Sequence, residues 1–218
     1  MDTRTKLRVI EATPEHRGFL AWVCLTAFRS HLERGFWDFM LDGDEGYKLR
    51  YLAALVSGEQ RHWSHYSPFL IAEVEGQPAS ALCGYFEAEL GGPTLRLAGA
   101  EANRRTGRSE EEAAAGFARA SSIMNVLPEH AEGAWIVENV ATAPDYRRQG
   151  LCERLVEEIL ERGRARGATV SDISVFIGND GAQRAYEKCG FEAVGEKRDP
   201  EFERIYKTPG TRTLRRLI

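Results

Sequence analysis

The stretch that decides the fold is residues 138–160, ENVATAPDYRRQGLCERLVEEIL. It starts as a strand, passes through a basic turn, and continues from Gly150 with apolar residues at the spacing of one helix face. The first N–H groups of a helix have no partner within the helix, and the helix dipole is positive there. Because Arg147 and Arg148 add charge and Gly150 has no side chain, this turn predicts a site for phosphate or pyrophosphate. The alternative interpretation is a solvated basic turn.

Strands and helices alternate on both sides of this stretch. Before it, the patterns predict a strand at 7–12, helices at 14–31 and 46–56, a hairpin of strands at 69–76 and 78–90, and a strand at 134–142. From Gly150 on, they predict a helix at 150–166, a strand at 169–179, a short helix at 181–190, and strands at 191–198 and 211–218. The alternation predicts a crossover with a parallel pair, and the hairpin adds antiparallel strands. The fold class is therefore α/β (α+β) with a mixed sheet.

Residues 91–130 interrupt this alternation. They begin as a Gly-rich basic segment, and the sequence SEEE at 109–112 then opens a helix whose predicted buried face is formed by Phe117, Ala120, Met124 and Leu127. The chain has no internal repeat and no low-complexity linker. We therefore predict a single domain over residues 1–218, with a helical insertion at about 91–130.

Composition narrows the possible functions. The 218 residues carry a formal net charge of -4, which argues against a general nucleic-acid-binding protein. The N-terminus is charged, and no stretch reaches the roughly 18 apolar residues that cross a bilayer, so we expect a cytoplasmic protein without membrane association. The 4 cysteines are scattered, which favours neither a disulfide framework nor a metal site.

Two short elements resemble a known family. Residues 147–152, RRQGLC, resemble the Q/R-x-x-G-x-G/A signature of the GNAT superfamily of acyl-CoA-dependent N-acetyltransferases, with Cys152 where the family usually has Gly or Ala. A second family element, N-x-x-A-x-x-x-Y-x-x-x-G-F, is matched by Asn179, Ala182, Tyr186, Gly190 and Phe191. The elements lie in the family's order and at a family-like separation. The resemblance is strong over about 134–191, looser over the first strands and helices, and absent from 91–130.

The resemblance implies a mainly antiparallel sheet with a splayed central parallel pair and helices on both faces. The strand at 137–142 would diverge from the strand at 173–177 and open a wedge for acetyl-CoA as co-substrate, without a metal. The residues expected to bind acetyl-CoA are Val140, Ala141, Thr142, Arg147, Arg148, Gln149, Gly150, Leu151, Cys152, Asn179 and Ala182.

The implied activity is acetyl transfer to a primary amine of a small molecule or peptide, by direct attack in a ternary complex. The reaction needs a neutral amine, a stabilised oxyanion and a proton for the departing thiolate. Tyr186 lies two helical turns after Asn179, and in the family the matching tyrosine donates that proton. The alternative role for Tyr186 is to hold its helix to the sheet.

Glu138 is the candidate base. A carboxylate within an apolar strand is costly to bury, so we expect it to face the wedge and water and to accept the amine's proton or attract a cationic substrate. A solvent-facing strand residue is the alternative. Asp172 is a weaker candidate base, while Ser174 cannot act as one. Cys152 lies at a helix N-terminus, where the pKa of a thiol can be lowered, so covalent catalysis is a second possibility. We discount it because the matching position in the family contacts pyrophosphate.

The resemblance implies that the loop between the first two helices contributes to the acceptor site, and the expected residues there are Phe36, Trp37 and Phe39. With Asp38, Asp42, Asp44 and Glu45 nearby, this surface would suit a small cationic amine with an apolar body. The alternative is that the aromatic residues pack under the second helix. His62 and His65 are expected at the surface or in the acceptor pocket rather than on a metal.

The insertion leaves two roles open, a lid over the acceptor or a surface for a homodimer. A second function also stays open, a non-catalytic acyl-CoA-binding module that acts as a sensor or partner domain. Tyr186 and Glu138 favour the enzyme.

Overall fold

A seven-stranded mixed sheet forms the centre of the protein. The computed structural model describes residues 7–218; the charged N-terminal residues 1–6 lie outside it. The strands are β1 (Leu7–Glu11), β2 (Phe69–Val74), β3 (Gln77–Phe86), β4 (Trp135–Thr142), β5 (Val170–Phe176), β6 (Glu192–Arg198) and β7 (Gly210–Leu217), in the order β1-β2-β3-β4-β5-β7-β6. Only β4 and β5 are parallel neighbours among these strands. The predicted mainly antiparallel sheet with a central parallel pair is confirmed.

Helices cover both faces of this sheet. They are α1 (Arg17–Arg29), α2 (Phe36–Met40), α3 (Glu45–Val56), α4 (Glu87–Leu90), α5 (Gly92–Thr106), α6 (Glu110–Ala120), α7 (Leu151–Ala165), α8 (Asp180–Lys188) and α9 (Pro200–Tyr206), with short 3-10 turns at Pro14–His16, Ser121–Val126 and Pro144–Tyr146. Within residues 7–218, no helix has the length and apolar character needed to cross a bilayer.

The first face packs against α1 and α3. Leu20 and Val23 of α1 and Leu52 of α3 recur at helical spacing and are buried against Ile71 and Ile136 of the sheet. Each such side chain contributes about 1.5–3 kcal/mol when it leaves water. This face of the sheet is called the α1 side below.

The opposite face packs closely against α7. A Cβ placed on Gly84 of β3 would lie 2.5 Å from Ile159 Cγ1, and one placed on Gly163 of α7 would lie 2.7 Å from Trp135 Cγ. Glycine is therefore needed at both positions, because neither neighbour leaves room for a methyl group. The two glycines let α7 lie directly on the buried Trp135 ring.

The sequence analysis missed the helices α5 and α9, as well as the short helices α2 and α4. The segment at 91–108 contains α5, which has a proline in its first turn and ends at Gly107 with φ of 73°. Helix α9 begins after Asp199, whose side chain accepts a hydrogen bond from the N–H of Phe202 at 2.8 Å. The Asp199-Pro200 pair was the available signal for α9. The predicted strand at 78–90 is also too long, since the chain turns into α4 after Phe86.

The predicted buried face of α6 is wrong in part. Ala120 is fully buried, but Phe117, Met124 and Leu127 are 47%, 52% and 42% exposed. Small residues make the contact with the rest of the molecule instead, since a Cβ on Gly116 would lie 2.1 Å from the Met40 carbonyl oxygen. The large apolar residues are left facing the cleft described next.

Candidate active site

A cleft opens where β4 and β5 diverge. Their pairing covers only 135–137 against 171–173, although β4 continues to Thr142 and β5 to Phe176. The cleft has a volume of about 2220 Å³ and is lined by both strands, the start of α7 and residues of α8. The divergence that the sequence predicted is therefore present at the predicted residues.

A bulge in β4 shapes one wall of this cleft. Glu138 lies opposite Cys83 of β3, but Ala141 lies opposite Ala81, so β4 has one residue more than β3 in this interval. Asn139 has φ of 52°, in the left-handed region that asparagine tolerates better than most residues. The bulge thus sits directly after the candidate base.

The bulge sends two successive side chains to the α1 side. The hydroxyl of Tyr85 donates a hydrogen bond to Glu138 Oε2 at 3.1 Å, and Asn139 Nδ2 donates to Ser64 Oγ at 3.1 Å. In a regular strand, successive side chains point to opposite faces. The extra residue therefore places Asn139 beside Glu138 rather than behind it.

Beyond the bulge, β4 has unpaired peptide groups on its cleft edge. The N–H of Ala143 donates to the carbonyl of Ala79 at 2.8 Å, which directs it toward β3. Because backbone groups alternate along a strand, those of Val140 and Thr142 point away from β3, toward the region that β5 has left. These groups can bind an extended amide-containing ligand.

The turn before α7 has the geometry of an anion site. Arg148 and Gly150 have φ of 62° and 76°, and α7 follows for 15 residues from Leu151. A Cβ on Gly150 would meet nothing within 4 Å, so space for a ligand adjoins the helix N-terminus. The side chain of Gln149 does not line the cleft, since its Nε2 donates to the carbonyl of Asp145 at 3.1 Å.

Tyr186 lies on the α7 side of the cleft. Asn179 caps α8 by accepting a hydrogen bond from the N–H of Ala182 at 3.2 Å, which fixes the start of the helix that carries Tyr186. Burial raises the pKa of Tyr186 well above its usual value, so its hydroxyl keeps its proton. Burial also raises the pKa of the neighbouring Cys152 to about 12, so this thiol is neutral near pH 7.

Glu138 lies on the opposite wall. Its carboxyl is half-buried and lines the cleft. Burial raises its pKa to about 7, although the charge of His130 and the hydrogen bond from Tyr85 act in the other direction. A carboxyl with this pKa can both accept and release a proton near neutral pH.

Asp172 is held in a structural ion pair. Its carboxylate accepts hydrogen bonds from Arg215 Nε at 2.7 Å and from the N–H of Ala131 at 2.8 Å, and His130 Nδ1 lies 3.5 Å from its Oδ2. Burial alone would raise the pKa of this carboxyl, but these contacts hold it well below its usual range. Asp172 is therefore not suited to act as a base near neutral pH.

The three predicted acceptor residues are not brought together in the cleft. Phe36 and Trp37 line it, with ring centroids 4.9 Å apart, and Trp37 is buried. Phe39 does not line the cleft; its ring packs on Tyr206 of α9 with a centroid distance of 4.8 Å.

Three of the four acidic residues expected to attract a cationic acceptor are engaged elsewhere, and the fourth, Asp42, does not line the cleft. Asp38 is buried and accepts from Arg29 Nε at 2.9 Å and Lys48 Nζ at 2.8 Å. Burial would raise the pKa of Asp38, but these cations hold it well below its usual range. Asp44 caps α3, and Glu45 pairs with Arg29. These carboxylates stabilise the fold and do not line the cleft.

His62 and His65 are buried and also lie outside the lining of the cleft, contrary to expectation. The N–H of Ser64 donates to His62 Nδ1 at 3.1 Å, so Nε2 carries the proton and donates to the carbonyl of Leu55 at 3.1 Å. Burial lowers the pKa of His62 to about 4. Across residues 7–218, no group of three or more His, Cys, Asp or Glu side chains is arranged to hold a metal.

Comparison with known proteins supports the resemblance seen in the two motifs. Residues 92–191 match the acetyltransferase (GNAT) family. The resemblance to the GNAT family is therefore confirmed for this segment, and the match also extends over residues 92–130, where the sequence analysis found no resemblance. No curated protein sequence matches the chain.

Solved structures share the fold of this chain at low sequence identity. A crystal structure of an acetyltransferase is 18% identical with a TM-score of 0.68, and the match covers 97% of this chain and 99% of that one. An N-acetyltransferase from Staphylococcus aureus Mu50 is 18% identical with a TM-score of 0.65, over 96% of this chain and 100% of that one. The polyamine N-acetyltransferase of Drosophila melanogaster, which forms N-acetylagmatine, is 13% identical with a TM-score of 0.55, over 98% and 100%.

Sequence analysis missed Trp63 and His130, which line the cleft. Trp63 stacks on Tyr85 with a centroid distance of 6.1 Å, and the ring of His130 lines the cleft next to Asp172. Ser174 also lines the cleft, and its Oγ is buried without a hydrogen-bond partner among the described residues. The histidines and aromatic residues at 61–68 were the available signal for Trp63, but nothing local connects that segment with β4.

Proposed function

We propose that this protein transfers an acetyl group from acetyl-CoA to a primary amine of a small molecule or peptide, by direct attack within a ternary complex. The observation that carries the proposal is the cleft itself. Unpaired peptide groups, a helix N-terminus and two proton-transfer groups, Glu138 and Tyr186, all line it.

The residues around the cleft fit acetyl-CoA, which supplies an activated acetyl thioester when it is bound. Peptide groups of Val140 and Thr142 would hold the amide-containing arm, and the turn ending at Gly150 would hold the pyrophosphate. The full set proposed to bind acetyl-CoA is that predicted from the sequence: Val140, Ala141, Thr142, Arg147, Arg148, Gln149, Gly150, Leu151, Cys152, Asn179 and Ala182. Of these, Gln149 would contribute through its backbone.

Glu138 serves as the proton acceptor in this proposal. A primary amine is an ammonium ion near pH 7 and must lose a proton before it can attack a carbonyl carbon. With a pKa raised to about 7 by burial, Glu138 is ionised often enough to take that proton and releases it readily to water.

Tyr186 serves as the proton donor. As the amine nitrogen bonds to the carbonyl carbon, the carbon–sulfur bond breaks and the sulfur needs a proton. Tyr186 keeps its proton because burial raises its pKa, so its hydroxyl can supply one to the sulfur and regain one from the nitrogen. Of the two protons that the ammonium loses, one then reaches water through Glu138 and the other replaces the proton given by Tyr186.

Calorimetric titration with acetyl-CoA and CoA, followed by a thiol-release assay with primary amines, tests the proposal. Arg148→Asn removes the charge at a left-handed position that asparagine tolerates, so we expect acetyl-CoA affinity to fall by about tenfold with unchanged unfolding. The matched control is Arg154→Gln, on an exposed arginine of α7 that pairs with Glu158. Absence of binding by the wild type would overturn the proposal, and binding without thiol release would favour the non-catalytic module.

A further inference from the structure

Large apolar side chains are exposed at the mouth of the cleft. Phe117, Met124 and Leu127, which we call the apolar rim, are 47%, 52% and 42% exposed and line the same cleft as Glu138. Exposed groups of large apolar residues often mark a binding surface. Leu97 of α5 is 61% exposed in the same insertion but does not line the cleft.

The apolar rim continues inward toward Glu138. The cleft wall between them, on the α1 side, includes Phe28, Phe36, Trp63, Tyr85, Ile123 and Val126. The Tyr85 hydroxyl at the inner end already donates to Glu138. The acceptor half of the cleft is therefore an apolar channel with a proton acceptor at its inner end.

Charges are poorly placed along this channel to bind a second ammonium group. Among the described residues, the acids that line the cleft are Glu87, Glu89, Glu132, Glu138 and Glu153. Glu89 pairs with Arg166 at 2.7 Å, Glu153 lies at the start of α7, and Glu132 is exposed. Glu87 is also exposed, and its charge acts at the inner end of the channel, where it contributes to the raised pKa of Glu138. In the α2–α3 region, Asp38 and Glu45 are paired with Arg29 or Lys48, and neither Asp42 nor Asp44 lines the cleft. A charged group in mid-channel would lose water without gaining a partner.

We infer that the acceptor is a monoamine with a hydrophobic body, whose amino group lies at Glu138 and whose body lies along the channel against the apolar rim. The inference rests on the proposed acetyltransferase function and names its substrate class. The combination of one inner carboxyl with an apolar wall separates this site from one suited to a polyamine.

A matched pair of amines tests this inference. Hexylamine and 1,6-diaminohexane have the same length and differ in one terminal charge. With saturating acetyl-CoA, we expect kcat/KM from thiol release to be about 30-fold higher for hexylamine, because the second ammonium would have to be desolvated. The diamine has two amino groups that can react, which by itself favours the diamine. A higher kcat/KM for hexylamine would therefore be found in spite of this advantage.

One variant and its control test whether the hydrophobic body of the amine contacts the apolar rim. We expect Phe117→Ala to lower kcat/KM for hexylamine by about tenfold and to leave ethylamine, whose body is short, within about twofold. The control Leu97→Ala, which removes an exposed residue outside the cleft, should change neither value. Urea unfolding of all three proteins checks that the fold is retained.

The outcomes separate the inference from the function on which it rests. Equal or faster acetylation of the diamine would overturn the inference and leave the acetyltransferase standing. Loss of thiol release with every amine tested would overturn both, and the acetyl-CoA titration would show whether binding had failed first. If Phe117→Ala left the kinetics unchanged and converted a dimer to a monomer in sedimentation velocity, the rim would be a contact between two copies and the inference would be wrong.

Discussion

The two halves of the cleft are built in different ways. The coenzyme half lies within 138–186 and depends largely on backbone: a bulged strand, a turn with two left-handed residues, and a helix N-terminus. The acceptor half is built from side chains of α1, α2, α5, α6 and the segment at 61–68, which are far apart in sequence. A site made by the backbone of one continuous segment has a short sequence signature, whereas a site made by distant side chains has none.

The largest effect is expected from Tyr186→Phe, which removes one hydroxyl from the coenzyme half. Without a proton for the departing sulfur, kcat should fall by about 100- to 1000-fold, while the acetyl-CoA dissociation constant stays within about twofold. Thiol release and calorimetry measure the two quantities. Tyr146→Phe is the control, since Tyr146 also lines the cleft. Equal turnover by Tyr186→Phe and the wild type would contradict the role.

The second-largest effect on kcat/KM is expected at Glu138, which lies where the acceptor half meets β4. In the wild type, kcat/KM should rise with pH to a plateau above about 7, as the carboxyl loses its proton. Glu138→Gln should lower kcat/KM at pH 8 by about 10- to 100-fold and remove this acid limb. An unchanged limb in the variant would assign the titration to another group.

The same residue makes stability depend on pH. Burial raises the pKa of Glu138 from 4.5 to about 7. The contribution of Glu138 to the free energy of unfolding is therefore fully present below pH 4.5 and is lost as the pH rises to about 7. The total change is on the order of 3 kcal/mol at most. Urea unfolding of the wild type and Glu138→Gln at pH 5 and pH 8 should show the difference between the proteins shrink or reverse at pH 8. A constant difference would contradict the raised pKa.

A smaller effect is expected at the bulge. Glycine at position 139 can adopt φ of 52° and loses only the hydrogen bonds to Ser64 and Cys83, whereas a β-branched residue is strained there. Asn139→Val should therefore be about 2 kcal/mol less stable than Asn139→Gly by urea unfolding. It should also bind acetyl-CoA more weakly. Equal stability of the two variants would mean that β4 is regular in solution.

The smallest effect is expected from Cys152→Ala. Burial raises the pKa of this thiol to about 12, so a thiolate nucleophile is not available near pH 7. Turnover should stay within about twofold of the wild type. A loss of 100-fold or more, with an acetylated wild-type protein visible by mass spectrometry, would instead establish a covalent route.

Much of the fold follows from local patterns. The apolar spacing of α7, the strand-turn-helix order at 138–160 and the hairpin of β2 and β3 all appear where the sequence predicts them. The missed elements had weaker signals: α5 starts in a Gly-rich segment and α9 has 7 residues. Missing α9 also misplaced Phe39, because Tyr206 of that helix is the residue it packs on.

The acceptor half was less predictable because its carboxylates find partners through tertiary contacts. Asp38 meets Arg29 and Lys48, residues 9 and 10 positions away on different helices. A run of acids and aromatic residues looks like a cation site in sequence, but the buried carboxylate of Asp38 is stabilised only because two cations of the same protein reach it. The catalytic roles of Glu138 and Tyr186 stay predictions, to be decided by the variants above.

The close packing at Gly163 makes α7 a lever arm. Leu151, next to the anion-binding turn, is 12 residues from Gly163, or about 18 Å along the helix axis. At Gly163 the helix rests on Trp135, with no room for a methyl group. A small change in the angle at which α7 packs on Trp135 therefore becomes a larger displacement of the turn at the other end of the helix. The position of the turn that we propose binds pyrophosphate thus depends on a glycine at the far end of the helix.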